Sequence, residues 1–487
     1  MLFNSLDFAV FIPIVFLLYW FVTQKNLRLQ NTLIVVSSYV FYGWWDWRFL
    51  SLILFSTLVD FSLGKLLKVE ESLFKRKVLL GSSIIVNLGF LGFFKYYNFF
   101  LTNFIDAFSL FGMQINANSL NIILPVGISF YTFQTLSYTL DVYKKKLEPT
   151  EDFLAFSAFV CFFPQLVAGP IERATNLLPQ FYRKRIFKYD KAVDGLRQIV
   201  WGLFKKVVIA DHCAEIANQV FSNSADLNGS SLVIGAFFFT FQIYGDFSGY
   251  SDMAIGIARL FGFNLKQNFA TPYFSRDIAE FWRRWHISLS TWFRDYLYIP
   301  IGGSRGGVLV KVRNTFVIFI VSGFWHGANW TFIVWGFLNA LYFLPLLLTN
   351  TNRNSTGIIA EGSLLPSIRE LCAMLSTFSL TVFAWIFFRA ENIHHAFSYI
   401  GGIFSDSLFM KLDFINGGKQ KLEVLIVSLL VVLLIVVEWF TRRYSHPLEC
   451  ITSQKPNRFI RYSIYLLLVL MIVFFHGSHE KFIYFNF

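Results

Sequence analysis

Two histidines in apolar, tryptophan-rich surroundings are the residues of this chain best suited to chemistry. His326 lies within residues 322–330, SGFWHGANW, and His286 lies forty positions earlier within residues 282–290, WRRWHISLS. An ionisable side chain in a membrane is costly to bury and is a functional-site hypothesis by default. Because a neutral imidazole can accept the proton of a hydroxyl near pH 7, His326 is predicted to act as a general base.

Each histidine also has a purely structural interpretation. His326 could only hydrogen-bond a neighbouring carbonyl between helices, and His286 could belong to a tryptophan–arginine anchor at the lipid headgroups. Gly323 and Gly327 favour function at His326, since glycine lets another backbone or a ligand approach closely. The other six histidines carry no usable motif: His212, His394, His395, His446, His476 and His479.

The composition indicates a helical membrane protein. Of the 487 residues, 55% are hydrophobic and only 15% are charged, against roughly 25% charged in soluble domains. Several apolar stretches can be extended to cross a hydrocarbon core of about 30 Å. The clearest are 6–22, 78–94, 232–244, 424–440 and 464–475. The first of them follows a segment without Lys or Arg, so it is predicted to be a retained span and not a cleaved signal peptide.

The net charge of +12 does not indicate nucleic-acid binding. Basic residues cluster in short loops between apolar runs, which is the positive-inside pattern, and no large soluble domain remains for a duplex. The four cysteines are far apart and form no Cys-x-x-Cys pair. They therefore argue against a zinc knuckle or a redox pair, and no metal site is expected.

Two segments break the alternation of apolar spans and charged loops. Residues 153–167 are apolar but are flanked by basic residues on both sides and interrupted at Pro164. A re-entrant segment fits this pattern, and such backbone is tolerated only where protein or a water-filled cavity covers it. Residues 259–313 mix basic and aromatic side chains, which predicts an amphipathic, partly inserted cytoplasmic layer.

The depth of His326 in the membrane can be calculated if a helix continues from Arg313 at the cytoplasmic interface. Thirteen residues of helix rise about 20 Å, which reaches the middle of the bilayer or beyond. His286 would remain nearer the cytoplasmic side, so the two histidines would mark different depths of one cavity. Asp246 is a carboxylate in an apolar stretch and needs a partner, either to orient a catalytic group or to tie helices together.

Several motifs, in order along the chain, resemble those of the membrane-bound O-acyltransferase family. They are LPVGISF (124–130), FPQLVAGP (163–170), DFSGYSD (246–252), FWRRWHISLS (281–290), WFRDYLYIP (292–300), WHGA (325–328) and FIYFNF (482–487). Within the family they resemble the branch of the bacterial alginate O-acetylation membrane protein, which is related to the D-alanyl transfer protein of teichoic acid synthesis.

The resemblance implies an all-α polytopic fold of about 11–12 transmembrane helices, with re-entrant and amphipathic cytoplasmic segments around a central tunnel. It implies one domain over residues 1–487, with the signature motifs in a core at 122–345. The family's signature histidines correspond to His326 and His286, and both are predicted to be catalytic: His326 as the base, and His286 in positioning the donor or stabilising charge. The residues predicted to bind donor or substrate are Arg283, Arg284, Trp285, Asp246 and Trp325.

The resemblance also implies an activity. An acetyl thioester from the cytoplasm, either acetyl-CoA or an acyl carrier protein, would donate to a hydroxyl acceptor or an extracytoplasmic esterase-like partner, for polysaccharide O-acetylation. No bound cofactor is expected, and the predicted location is the bacterial inner membrane. Two alternatives stay open at this point: D-alanyl transfer to teichoic acid through a carrier protein, and a transporter of activated acyl groups without bond chemistry.

Overall fold

The computed structural model describes residues 1–113, 115, 117–415, 417–454, 456–477, 480 and 482–485. Within these ranges the ordered elements are helices, and no β-strand occurs. The prediction of an all-α fold is therefore confirmed. His479 and the last two residues of the C-terminal motif lie outside the described residues.

In the described part of the chain, seven helices are long and apolar enough to cross a membrane: Leu27–Val69, Leu73–Ser109, Gly229–Leu260, Val308–His326, Trp330–Leu348, Ile368–Arg389 and Gly418–Thr441. A shorter apolar helix covers Leu6–Val22. The first two of the seven have 43 and 37 residues, more than the roughly 20 that one crossing needs. The chain is thus a multi-pass membrane protein, while the total of 11–12 spans stays a prediction.

The chain forms two compact units, the first of which comprises Met1–Val193 and Ile257–Lys266. Its α-helices are Leu6–Leu17, Leu27–Asp46, Leu50–Val69, Leu73–Leu91, Tyr97–Ser109, Ile128–Tyr143, Phe153–Cys161, Phe163–Leu166 and Ala174–Leu177, and Tyr189–Leu203 begins there. The helix Phe153–Cys161 has nine residues, all but the first two of them buried, so it is too short to cross the core and is covered by protein, as a re-entrant segment would be.

The second unit comprises Asp194–Gly256 and Gln267–Phe487, and both signature histidines lie in it. Its α-helices are Asp211–Ser222, Gly229–Leu260 (through Gly256), Ile278–Arg284, Ile287–Phe293, Val308–His326, Trp330–Leu348, Ile368–Arg389, Ile393–Ile403, Gly418–Thr441, Cys450–Gln454 and Arg458–Phe474. In the basic aromatic segment, Trp285, Leu289 and Trp292 are buried while Arg294 is exposed, which agrees with an amphipathic layer. The prediction of a single domain stays a prediction.

An antiparallel pair of helices, Val308–His326 and Trp330–Leu348, carries His326. The helix continues unbroken from Arg313 to His326, as expected. The two helices touch through glycine: a Cβ at Gly323 would meet the Phe332 carbonyl oxygen, and one at Gly336 would meet the Phe319 carbonyl oxygen. Gly323 was expected to admit a close neighbour, and that neighbour is the backbone of the next helix.

Replacing Gly336 by alanine should loosen this pair. The added methyl group overlaps backbone atoms, and overpacking of this kind costs about 1–3 kcal/mol. Gly81→Ala is a matched control because it also replaces a helical glycine and meets nothing within 4 Å. Thermal unfolding in detergent should give a lower midpoint for Gly336→Ala than for Gly81→Ala. Equal midpoints would show that the two helices do not depend on this contact.

Candidate active site

His326 is the last residue of its helix and is held on several sides by aromatic rings. It is only 3% exposed. Its ring centroid lies 5.0 Å from that of Trp325, 5.2 Å from that of Trp335 and 5.3 Å from that of Phe388. These rings come from its own helix and from Trp330–Leu348 and Ile368–Arg389. Packing from three helices leaves the imidazole little freedom to rotate.

The position of His326 at a helix C-terminus also has an electrostatic effect. The carbonyl groups of the last turn give that end of a helix a partial negative charge, which stabilises a nearby cation. The helix ends at His326, and the next residue, Gly327, has an extended backbone. The partial charge at this end of the helix therefore offsets part of the cost of placing a positive charge on the buried ring.

His286 is fixed by hydrogen bonds and by an unusual backbone conformation. It has φ 42° and ψ 54°, in the left-handed region, which few residues other than Gly, Asn, Asp and His adopt. Its Nδ1 lies 3.1 Å from the Oδ1 of Asn268, and the amide of Ile287 donates to the carbonyl of Asn268. Since Oδ1 is an acceptor, Nδ1 carries the proton. Asn268 is in turn held by its Nδ2, which donates to Ser251.

His286 is buried, with 1% of its surface exposed, and its ring packs on Phe247 at 4.6 Å. Burial lowers the pKa of His286 from its ordinary 6.5 to about 3, because a charged imidazole there would lose its hydration. His286 is therefore neutral at physiological pH. An anchor in the lipid headgroups would instead be exposed at the membrane surface.

The structure brings the two predicted histidines into one aromatic cluster. The Trp325 ring lies 5.0 Å from the His326 ring and 6.1 Å from the His286 ring. A second connection passes through Phe247 and Tyr484, whose rings are 4.3 Å apart. Tyr484 then lies 5.8 Å from His326. Two routes of packed rings therefore join side chains that are forty residues apart in sequence.

Asp246 has the partner that its burial required. One of its carboxylate oxygens lies 2.8 Å from the Nζ of Lys206, which also contacts Asp211 at 2.7 Å. The other oxygen accepts the amide of Ile483. Since Ile483 precedes Tyr484, this bond holds the C-terminal segment where Tyr484 contacts His326. Asp246 thus acts on the histidine cluster through the backbone of that segment.

The other residues predicted to bind substrate are mainly engaged within the protein. Arg283 donates to the carbonyls of Asn352 and Ser355, and Arg284 forms an ion pair with Glu280 at 2.8 Å. Trp285 is 1% exposed and stacks in the aromatic core. None of the three lines the cavity described next, and their roles toward a donor stay predictions.

A cavity of about 230 Å³ lies beside the His326 helix. Its wall includes Ser322, which is one helical turn before His326, and Trp282, whose ring is 5.6 Å from Trp335. Arg294 and Arg353 supply cationic side chains at the same wall. The remaining lining is half apolar, from Phe293, Ile318, Phe319, Phe343 and Leu347, and half polar, from Ser290, Tyr298, Ser304, Thr315 and Asn352. This space can accept a chain-like ligand with an anionic end.

Some residues of the site gave no usable signal in the sequence. Asn268, Lys206 and Tyr484 each depend on a tertiary contact that no spacing rule foretells. Arg353 was hidden among many basic residues. A signal was available for Tyr484, which lies in the C-terminal motif FIYFNF, and for Arg294, which lies in the motif WFRDYLYIP.

Comparison with known proteins decides what kind of protein carries this site. The family model described as membrane-bound O-acyltransferase matches residues 18–358. The chain belongs to the membrane-bound O-acyltransferase family. The predicted family is thereby confirmed, and so is the prediction of an acyltransferase, against that of a transporter without bond chemistry.

Three proteins with named activities are similar in sequence to this O-acyltransferase. A protein named probable alginate O-acetylase AlgI, from Pseudomonas aeruginosa, is 38% identical over 92% of this chain and 83% of its own. A peptidoglycan O-acetyltransferase from Helicobacter pylori is 34% identical over 100% of this chain and 98% of its own. A teichoic acid D-alanyltransferase from Bacillus subtilis is 26% identical over 56% of this chain and 71% of its own.

The low pKa of His286 predicts an acid-sensitive step in stability. The folded enzyme does not protonate His286 until about pH 3, whereas the unfolded chain does so near 6.5, so this contribution is complete above 6.5 and is lost as the pH falls toward 3. His286→Asn tolerates the left-handed backbone and keeps an N–H donor. Between pH 7 and 4.5 its unfolding midpoint should fall less than that of the wild type.

The control for this measurement is His394→Asn, which alters an exposed histidine of the same unit. It should retain the acid sensitivity of the wild type. If His286→Asn also retains it, His286 is not the group that is buried uncharged.

Proposed function

We propose that this O-acyltransferase moves an acetyl group from a cytoplasmic thioester to a hydroxyl of a cell-envelope polysaccharide, directly or through an extracytoplasmic partner. The observation that carries the proposal is the buried His326, one helical turn beyond a cavity lined by cationic and apolar residues. The names of the two O-acetylating relatives support acetyl as the group and a polysaccharide as the acceptor. A bacterial inner membrane is the corresponding location.

In this mechanism His326 is the general base. The acceptor oxygen attacks the thioester carbonyl as the imidazole takes the hydroxyl proton, and a C–O bond forms while the C–S bond breaks. The proton then passes from the imidazolium to the departing thiolate, so the products are an ester and a free thiol. The helix C-terminus stabilises the imidazolium in between, and the surrounding rings hold the base in place.

We assign His286 a positioning role. Its Nδ1–H is directed at Asn268 and its pKa of about 3 makes it a very weak base, so it is poorly suited to take a hydroxyl proton near pH 7. As a neutral ring beside Trp325 it orients that indole, and through it one side of the space next to His326.

The donor is proposed to occupy the cavity beside the His326 helix. Arg294 and Arg353 would attract the phosphate groups of a coenzyme A or carrier-protein thioester, while Phe319 and Phe343 pack against its flexible arm. The thioester would then reach the level of Ser322, next to the base. The residues predicted to bind the donor do not line this cavity, and they would instead hold its wall in place: Arg283, Arg284, Trp285, Trp325 and Asp246.

His326→Ala should abolish transfer while leaving the protein folded. Loss of a general base typically costs a factor of about 10²–10⁴. Release of thiol from acetyl-CoA, and ester groups on the polysaccharide of cells that carry the variant, are the two measurements. His394→Ala is the control, since it removes an exposed histidine of the same unit. Full activity of His326→Ala at normal expression would refute the assignment.

Ser322→Phe should block the cavity at its end nearest His326. Val321→Phe places the same phenyl ring at the neighbouring position, which is 40% exposed and does not line the cavity. The first variant should lower kcat/KM for the thioester by about tenfold or more, as misplacement near a reacting group does, and the second should leave it nearly unchanged. Equal effects would mean that the donor enters elsewhere.

The same assay identifies which acyl group the enzyme transfers. Acetyl-CoA, acetylated carrier protein and D-alanylated carrier protein are offered in turn to the purified enzyme. Acetyl transfer supports the proposal, whereas transfer of D-alanine alone would place the chain with the teichoic acid enzymes.

A further inference from the structure

A strongly basic cavity of about 620 Å³ lies within the first unit. Six cationic residues line it: Arg183, Lys184, Arg185, Lys188, Lys191 and Arg259. Among the described residues of its wall there is no Asp or Glu. The neighbouring Asp190 is the one acidic residue between positions 183 and 191, and it is not part of the wall. An empty space with this charge is suited to an anion.

Arg185 shows that the positive charge is built into the fold. It is 5% exposed, and its guanidinium donates to neutral acceptors: Oδ1 of Asn31 at 2.7 Å and the carbonyl of Gln180 at 3.3 Å. Its Nε is buried and has no acceptor among the described residues. A buried charge normally requires an opposite charge. Lys206 in the second unit has two carboxylates within 2.8 Å, whereas Arg185 forms no ion pair with any carboxylate that the structure describes.

The cavity lies at the end of the first apolar helix, where a membrane interface is expected. Trp20, near the end of Leu6–Val22, is part of the wall and donates its Nε1–H to the carbonyl of Leu260. Tryptophan favours the headgroup level of a bilayer. Lys25 and Arg28 follow, and basic residues beside a span mark the cytoplasmic side.

Exposed apolar residues stand between the cations. Ile186 and Phe187 also line the cavity and are 67% and 41% exposed. Inorganic phosphate would gain nothing from such side chains, because it has no apolar part. A phospholipid would place its phosphate among the cations and its first methylene groups against the apolar residues, which is the combination that binds proteins to anionic membranes.

We propose that this cavity binds the phosphate-bearing headgroup of an anionic phospholipid in the cytoplasmic leaflet. Lys184, Lys188 and Arg183 pair with the headgroup oxygens, and Arg185 supplies the buried charge at the base of the site. The lipid is a bound structural partner and takes no part in acyl transfer. The proposal is therefore independent of the proposed function.

The test uses the full-length protein in lipid nanodiscs that contain phosphatidylcholine and a minor share of phosphatidylglycerol. After purification from the disc, native mass spectrometry measures how much of each lipid remains bound. The variant Arg183→Gln/Lys184→Gln/Lys188→Gln removes three exposed charges from the cavity. The control Lys65→Gln/Lys75→Gln/Lys77→Gln removes three exposed charges from the same unit outside it.

Retained phosphatidylglycerol should fall about tenfold or more in the cavity variant and remain near the wild-type level in the control. Equal losses in both variants would show that general surface charge, and not this cavity, retains the lipid. That result would overturn the proposal. An unchanged ratio of the two lipids in the cavity variant would also overturn it. So would displacement of the lipid by millimolar inorganic phosphate at constant ionic strength, because the site would then serve a soluble phosphate.

Discussion

The position of His326 depends on the close contact between two antiparallel helices. Because Gly323 and Gly336 lack side chains, the backbone of each helix touches the other, and small residues allow this kind of packing in membranes. The contact brings Trp335 against the imidazole ring. The base that we propose must meet its substrate within a few tenths of an ångström, and it cannot rest on a flexible loop. Here its position is fixed by backbone packing.

A network of buried ion pairs also holds residues of the site in place. Lys206 joins Asp211 and Asp246, and Asp246 accepts the amide of Ile483 in the C-terminal segment. Breaking such a network is costly because an unpaired charge remains in a poorly solvated interior. The network therefore holds Tyr484 beside His326.

The two signature histidines differ in chemical character although they share one cluster. Both rings are buried among neutral groups, but His326 ends a helix, whose carbonyl groups partly offset the cost of a positive charge. In the function that we propose, His326 carries a proton transiently and His286 stays uncharged and positions its neighbours. Environment, and not residue type, separates a base from a positioning group.

The sequence by itself determined the membrane class, the family and the choice of His326 and His286, because hydropathy, loop charge and ordered motifs are local properties. It also predicted a partner for Asp246, but not that this partner is Lys206. Only the tertiary structure decided that Arg283 and Arg284 bond within the protein away from the cavity, while Arg294, paired with Asp295, and Arg353 line its wall. The direction of a long side chain and the meeting of distant residues such as Tyr484 and His326 are set by packing between helices, which spacing along the chain does not encode.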